Sequence, residues 1–309
     1  MADGLGVAVR FALYLDLALL CGVPLFLLYS FRREWEEGEP GLGFGAWPAA
    51  AAGAGVLLAA LSLALLAQSM SGAESLTALR FPILAMVVGG THAGLAGAIR
   101  IGALLLALWC ALRMRHRRVA GLWAVAGCAF VALASLAWGG HGAMDEGVQG
   151  YVHLWADIVH LLAAAGWVGA LAVFAKMSWP SAGAPRRQVR LLSRGLAGFA
   201  SLGTVIVAAL TLTGAANYAF IVGPNFNGLL SSPYGLLLLG KLGLFAMMLG
   251  LAAANRFRLA PRLEAAIAAD RPGAALVLLR RSVALEAGAA TAILLLVAWL
   301  GTLGPPTGS

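Results

Sequence analysis

The chain has 309 residues, 61% of them from the hydrophobic set and only 11% charged. A water-facing globule would carry about a quarter charged residues, so this composition excludes a soluble domain and specifies an integral membrane protein. Forty glycines on an Ala/Leu-rich background suit helices packed closely in lipid, and no run shows the ten-residue alternation of an outer-membrane barrel.

A helix needs about 20 apolar residues to cross the hydrocarbon. The sequence meets that length at about 7–31, 48–69, 86–112, 119–138, 151–175, 196–220, 234–254 and 283–303. The fold is therefore predicted to be all-α, a polytopic membrane helix bundle of about eight transmembrane helices making one integral membrane domain over 1–309. The first run lacks the basic start of a signal peptide and continues to Phe31, so it reads as a retained span. Between the second and third runs, 73–90 mixes Glu74 and Arg80 with apolar residues, the pattern of an interfacial or re-entrant helix. A short surface helix is expected around Leu263 to Ile267.

Seventeen of the 21 Lys and Arg residues fall in alternate loops, in groups at Arg32–Arg33, Arg113–Arg118, Lys176–Arg194 and Arg256–Arg281. Loops rich in Lys and Arg stay in the cytoplasm, so both termini are expected to be extracytoplasmic, with the loops at 70–85, 139–150 and 221–233. Trp109, Trp123 and Trp179 then fall at inner boundaries and Trp138, Trp155 and Trp299 at outer ones, the depths that amphipathic rings prefer. The formal charge of +8 is thus a topology signal and does not imply nucleic acid. Cys21, Cys110 and Cys128 lie in apolar runs without CxxC or CxxH spacing and read as core residues.

Ionisable groups at bilayer depth are costly, which makes each one a functional hypothesis. They are Asp16, His92, Arg100, His153, Asp157, His160, Lys241 and Glu286. The fifth run is the densest: offsets of four and three put His153, Asp157 and His160 on one helical face. His153 and His160 lie about 10 Å apart along the axis, too far to grip one ion together, so the face forms a ladder. Asp157 can accept an imidazole N–H and fix its tautomer. In the outer loop, His141 and Met144 combine imidazole with thioether, donors soft enough for Cu(I), while imidazole with carboxylate suits Cu(II). His92 enters the third span at similar depth between glycines that permit a helix break. Asp16, Arg100, Lys241 and Glu286 can instead form a buried ionisable network in which opposite charges satisfy each other.

Several ordered motifs resemble the copper resistance protein D family, CopD/PcoD, of bacterial inner membranes. Gly140-His141-Gly142 and Asp157-Ile158-Val159-His160-Leu161-Leu162-Ala163-Ala164-Ala165-Gly166-Trp167 come first. Ser232-Pro233-Tyr234-Gly235 leading to Lys241, Asn255 to Leu263, and Arg280-Arg281-Ser282-Val283 with Glu286 follow. The resemblance spans about 73–309, with 1–72 contributing the first two spans by hydropathy alone. It implies a copper-homeostasis protein of the inner membrane that binds a copper ion, Cu(I) or Cu(II), at the periplasmic side and transports it. A periplasmic CopC-like copper protein is the implied donor. His92 stands where the family more often has an aromatic residue.

No phosphate-binding loop or catalytic triad is present, so the chain is not expected to be an enzyme. Two other readings remain open: a b-type haem electron-transfer protein, which would need imidazoles opposed across a gap, and a non-transporting copper sensor or assembly factor.

Overall fold

A computed structural model describes residues 4–37, 43–114, 118–139, 147–179, 186–223 and 229–304. Their regular structure is entirely helical: α1 (Gly4–Glu37), α2 (Trp47–Ser71), α3 (Phe81–Gly90), α4 (His92–Arg113), α5 (Arg118–Ala134), α6 (Gly147–Ser178), α7 (Arg186–Ile221), α8 (Pro233–Ala254), α9 (Ala260–Ala268) and α10 (Gly273–Leu300). A 3-10 turn over Ser135–Gly139 extends α5, and a π-helical turn over Asn255–Leu259 joins α8 to α9. Eight of these helical stretches are long and apolar enough to cross a membrane, matching the eight predicted runs.

The third run differs in its start. Thr91 adopts an extended conformation (φ −136°, ψ 143°) and separates α3 from α4. Its hydroxyl donates to the Val87 carbonyl at 2.8 Å and accepts the Gly94 N–H at 2.9 Å, so one side chain closes one helix and caps the next. A side chain at Gly94 would strike the Val87 carbonyl, so this tight corner requires glycine. The span therefore begins at His92, and the preceding apolar residues form the separate short helix α3. Ser232 opens α8 by the same device, accepting the Gly235 N–H at 3.0 Å, with Pro233 in the first turn.

Helix α1 is the axis of the bundle: 61% of its membrane window is buried, against 6% for the α8 stretch. It packs on α2, α5, α6 and α10. In lipid, apolar area gives little drive for helix association, and close backbone approach through small residues takes its place. At the α1–α6 crossing a Cβ on Gly22 would collide with the Ala165 carbonyl, and one on Gly169 with the Gly22 backbone. Toward the arginine-rich end, aromatic rings fill the space where α1 meets α6 and α7. Phe26 meets Phe174 edge-on at 5.0 Å and Phe199 at 5.7 Å, a favourable quadrupolar geometry.

The arginine-rich end is tied by Arg186–Asp270 at 2.6 Å and by Arg194 with Glu34. Arg113 lies over Trp109 and Arg280 over Trp179, at 5.2 and 4.8 Å. All six tryptophans assigned to the two boundaries are exposed, as rings facing a membrane interface must be.

Replacing Gly169 by Val forces backbones apart at the α1–α6 crossing. It is expected to cost about 1–3 kcal/mol, the scale of overpacking a dense interior. Gly53, with open space around it, is the control. Thermal unfolding of the detergent-solubilised protein should show a lowered midpoint for Gly169→Val and an unchanged or slightly raised one for Gly53→Ala.

Candidate functional site

The polar face of α6 is met rung by rung by α7. His153, only 2% exposed, stacks on Phe220 with ring centroids 4.9 Å apart and planes 15° from parallel. Asp157 Oδ1 accepts from Asn217 Nδ2 at 3.4 Å. His160 Nδ1 lies 2.9 Å from the Thr213 hydroxyl. Residues 213, 217 and 220 repeat the four-and-three spacing of 153, 157 and 160, so two antiparallel helices present matching faces.

The third rung fixes a tautomer. The Thr213 hydroxyl donates its one proton to the Ala209 carbonyl at 2.6 Å, which leaves it only acceptor capacity toward His160. A neutral His160 therefore carries its proton on Nδ1 and keeps the Nε2 lone pair free for a ligand or an ion. Lys241 of α8 stands within electrostatic reach of both His160 and Asp157.

Below the ladder the same α6 face continues through Trp167, Leu171 and Phe174 into a cavity of about 240 Å³ bounded by α6, α7, α8 and α10. Its buried acid is Glu286, 2% exposed, whose carboxylate accepts from Asn255 Nδ2 while the Trp167 indole lies alongside. Arg256 crosses the mouth to α7, donating to the Ala200 carbonyl at 3.1 Å and to Thr204 Oγ1 at 2.9 Å. The π-helical turn supplies both Asn255 and Arg256, and such turns often occur where a helix serves a site.

The other predicted residues are placed differently. His92 is exposed at the start of α4, which packs on α2, α3 and α5, so the fold does not bring it to the ladder. His141 and Met144 lie outside the described residues. Among the described residues, Asp16, Arg100, Lys241 and Glu286 form no ion pair with one another, and Lys241 has Asp157 within electrostatic reach. Arg100 instead donates to Ser135, to its hydroxyl through Nε and to its carbonyl through Nη2, both at 3.0 Å. The 3-10 turn that starts at Ser135 offers the nearer oxygens. Asp16 faces Gly55 of α2, its Oδ2 buried without a hydrogen-bond partner among the described residues. Cys21 is buried as expected, whereas Cys110 and Cys128 are only half-buried and lie close enough across α4 and α5 to interact. Thr213 and Asn217 are not ionisable, so charge at bilayer depth does not single them out as site residues, although Thr213-Gly214 belongs to the motifs that carry the family resemblance. Their spacing with Phe220 was the available signal.

Eight apolar spans, with imidazole, carboxylate and amine side chains brought together where α6 meets α7 and α8, define a multi-pass membrane protein with a polar cluster in its spans. Residues 1–151 match the family described as copper resistance protein D-like, N-terminal domain, and residues 193–300 match copper resistance protein D. The chain is also 48% identical over 307 residues to Copper resistance protein D of Pseudomonas syringae pv. tomato, covering 99% of this chain and 98% of that protein. No solved structure matches it. The chain belongs to the copper resistance protein D family and is a copper-homeostasis membrane protein. His153, Asp157 and His160 lie between the two matched segments, while the α7 side of the ladder, Lys241 and Glu286 lie within the second.

The Thr213 hydroxyl is expected to set the His160 tautomer. Imidazole nitrogen NMR of the labelled protein should show Nδ1 protonated in the neutral wild-type ring, and a mixed population in Thr213→Val at unchanged fold.

Proposed function

We propose that the protein carries copper across the bacterial inner membrane. It takes the ion at the end that holds both termini and passes it along the α6–α7 ladder toward the Glu286 cavity. The distribution of Lys and Arg supports this orientation, with both termini on the periplasmic side. A periplasmic CopC-like protein is the proposed donor, with the loop holding His141 and Met144 as the point of entry. The observation that carries the reading is the pairing of His153, Asp157 and His160 with Phe220, Asn217 and Thr213, which fixes each polar group and leaves His160 Nε2 free.

The donor chemistry fits a cargo better than a resident ion. No group of three or more His, Cys, Asp or Glu side chains converges to hold a metal among the described residues. Each rung offers one donor, so an ion is held weakly and briefly, as conduction through successive sites requires. His153 and His160 are about 10 Å apart along α6, with Asp157 between them as the stepping carboxylate. Lys241 beside Asp157 and His160 opposes a cation at the base of the ladder and acts as its electrostatic gate. Beyond it, Glu286 is the next anionic oxygen, at the cavity opening between α7 and α8.

The haem reading gains no support here. Phe220 and Thr213, not a second imidazole, face the two histidines of α6.

Uptake of labelled copper into proteoliposomes tests the proposal directly. His160→Ala should abolish most uptake, and Thr213→Val should lower apparent copper affinity by about 10- to 100-fold, the scale of losing an orienting partner. Uptake by His160→Ala equal to wild type would overturn the route. Because coordination needs neutral imidazole, with an unperturbed pKa of about 6.5, protons compete with the ion. Copper affinity should therefore fall once acid protonates the ladder imidazoles, and binding that survives their protonation, followed by imidazole nitrogen NMR, would assign the site to other donors.

A further inference from the structure

On the far side of α1 from the ladder, helices α1, α2 and α4 and the 3-10 turn after α5 line a second, open cavity of about 580 Å³ at the end of the bundle that holds both termini. Its polar lining comes from Arg10 and Tyr14 of α1, from Ser62, Gln68 and Ser69 of α2, and from Arg100 of α4. Among the described residues, no Asp or Glu lines it. Arg100 is 7% exposed and bonds only to Ser135 among the described residues, through Nε and Nη2. A guanidinium has five N–H donors, so most of this fork remains unspent toward the cavity. Arg10 shares the cavity and has no carboxylate partner among the described residues; its Nη1 sits beside Gly301 at the end of α10. The nearest acid on α1, Asp16, lies against Gly55 and Leu104 instead.

Two arginines line one chamber, and a buried cation without a counter-charge, as Arg100 is among the described residues, is expensive in a membrane. Serine and glutamine on the opposite wall supply neutral hydrogen-bonding groups but no charge. What the described lining lacks is an anion, and the planar fork of arginine matches oxygens on carboxylate or phosphate. We propose that this cavity is an oxyanion-binding site, with Arg100 and Arg10 as its charged clamps and Tyr14 as a hydroxyl donor. Ser135 is the positioning residue: it holds one edge of the Arg100 guanidinium and thereby aims the rest. The site does not depend on the copper route and lies wholly within the N-terminal segment of the family match. The oxyanion can be a free ion from the aqueous side or the phosphate of an anionic lipid.

The test uses the full-length protein. In detergent, the thermal midpoint is followed against inorganic phosphate and against acetate at constant ionic strength. In nanodiscs of phosphatidylcholine, with or without phosphatidylglycerol, native mass spectrometry follows lipid that stays bound after release. A saturable stabilisation by phosphate or acetate identifies a free ion, and a retained phosphatidylglycerol adduct identifies a lipid. Either one should weaken by about tenfold or more in Arg10→Gln, the scale of losing a charge-assisted hydrogen bond. Arg10→Gln leaves the Arg100–Ser135 clamp intact and so separates ligand loss from misfolding. Arg100→Lys should retain binding in part, while the exposed Arg80→Gln should match wild type. The proposal fails if neither anion nor lipid binds the wild type, or if Arg10→Gln and Arg100→Lys bind as tightly as wild type does.

Discussion

The bundle depends on one backbone contact, the crossing of α1 and α6 at Gly22 and Gly169. Neither position has room for a single methyl group, so the two helices are locked in depth and in rotation. Rotation is the consequential part. Once Ala165 and Gly169 face α1, the 3.6-residue period turns His153, Asp157 and His160 toward α7. Had the crossing been filled by leucines, the helices would stand farther apart and could turn against each other, and a row of single-donor rungs would lose its register. The geometry that the function proposed for α6 needs is set by glycines that carry no functional group of their own.

Buried charges in this protein are mostly met by neutral groups. Ser135 receives Arg100 and Asn255 donates to Glu286, while Asn217 donates to Asp157. A carboxylate locked to an arginine in low dielectric would be a poor stopping point for a moving cation, because its charge is already spent. Amide and hydroxyl partners orient the acid and leave its charge available. The arginine-rich end contrasts with this: there, full ion pairs such as Arg186 with Asp270 form in exposed positions where they contribute little to stability.

Much of this was legible from sequence. The eight spans followed from a length ruler, and the short helix before the third span followed from its mixed composition. The ladder face followed from helical period alone. What sequence could not give was its partner, because choosing α7 over six other helices requires the tertiary packing. Thr213 and Asn217 are unremarkable residues until they stand opposite His160 and Asp157. The expected pairing of buried charges failed for a similar reason: which oxygen lies nearest Arg100 depends on a 3-10 turn that Ser135 begins, and no composition signal marks that turn. His92 shows the opposite limit, a residue plausible by chemistry and depth that the packing of α4 leaves outside the bundle.

The two polar regions are separated by α1 and joined by one of its side chains. Tyr14 lines the arginine cavity and also lies within electrostatic reach of Asp157 on the ladder, as it does of Arg10 and Arg100. Fields in a membrane interior are weakly screened, so charge on one side of α1 is felt on the other. With the cavity empty of an anion, the two arginines oppose a cation resting at Asp157. An oxyanion held between them cancels that opposition, so filling the cavity favours a cation on the ladder, and by linkage a cation on the ladder favours the anion. The sign of this coupling follows from the charges alone. On the two proposals together, occupancy of the cavity and occupancy of the α6–α7 ladder are linked through α1, the helix that fixes their geometry.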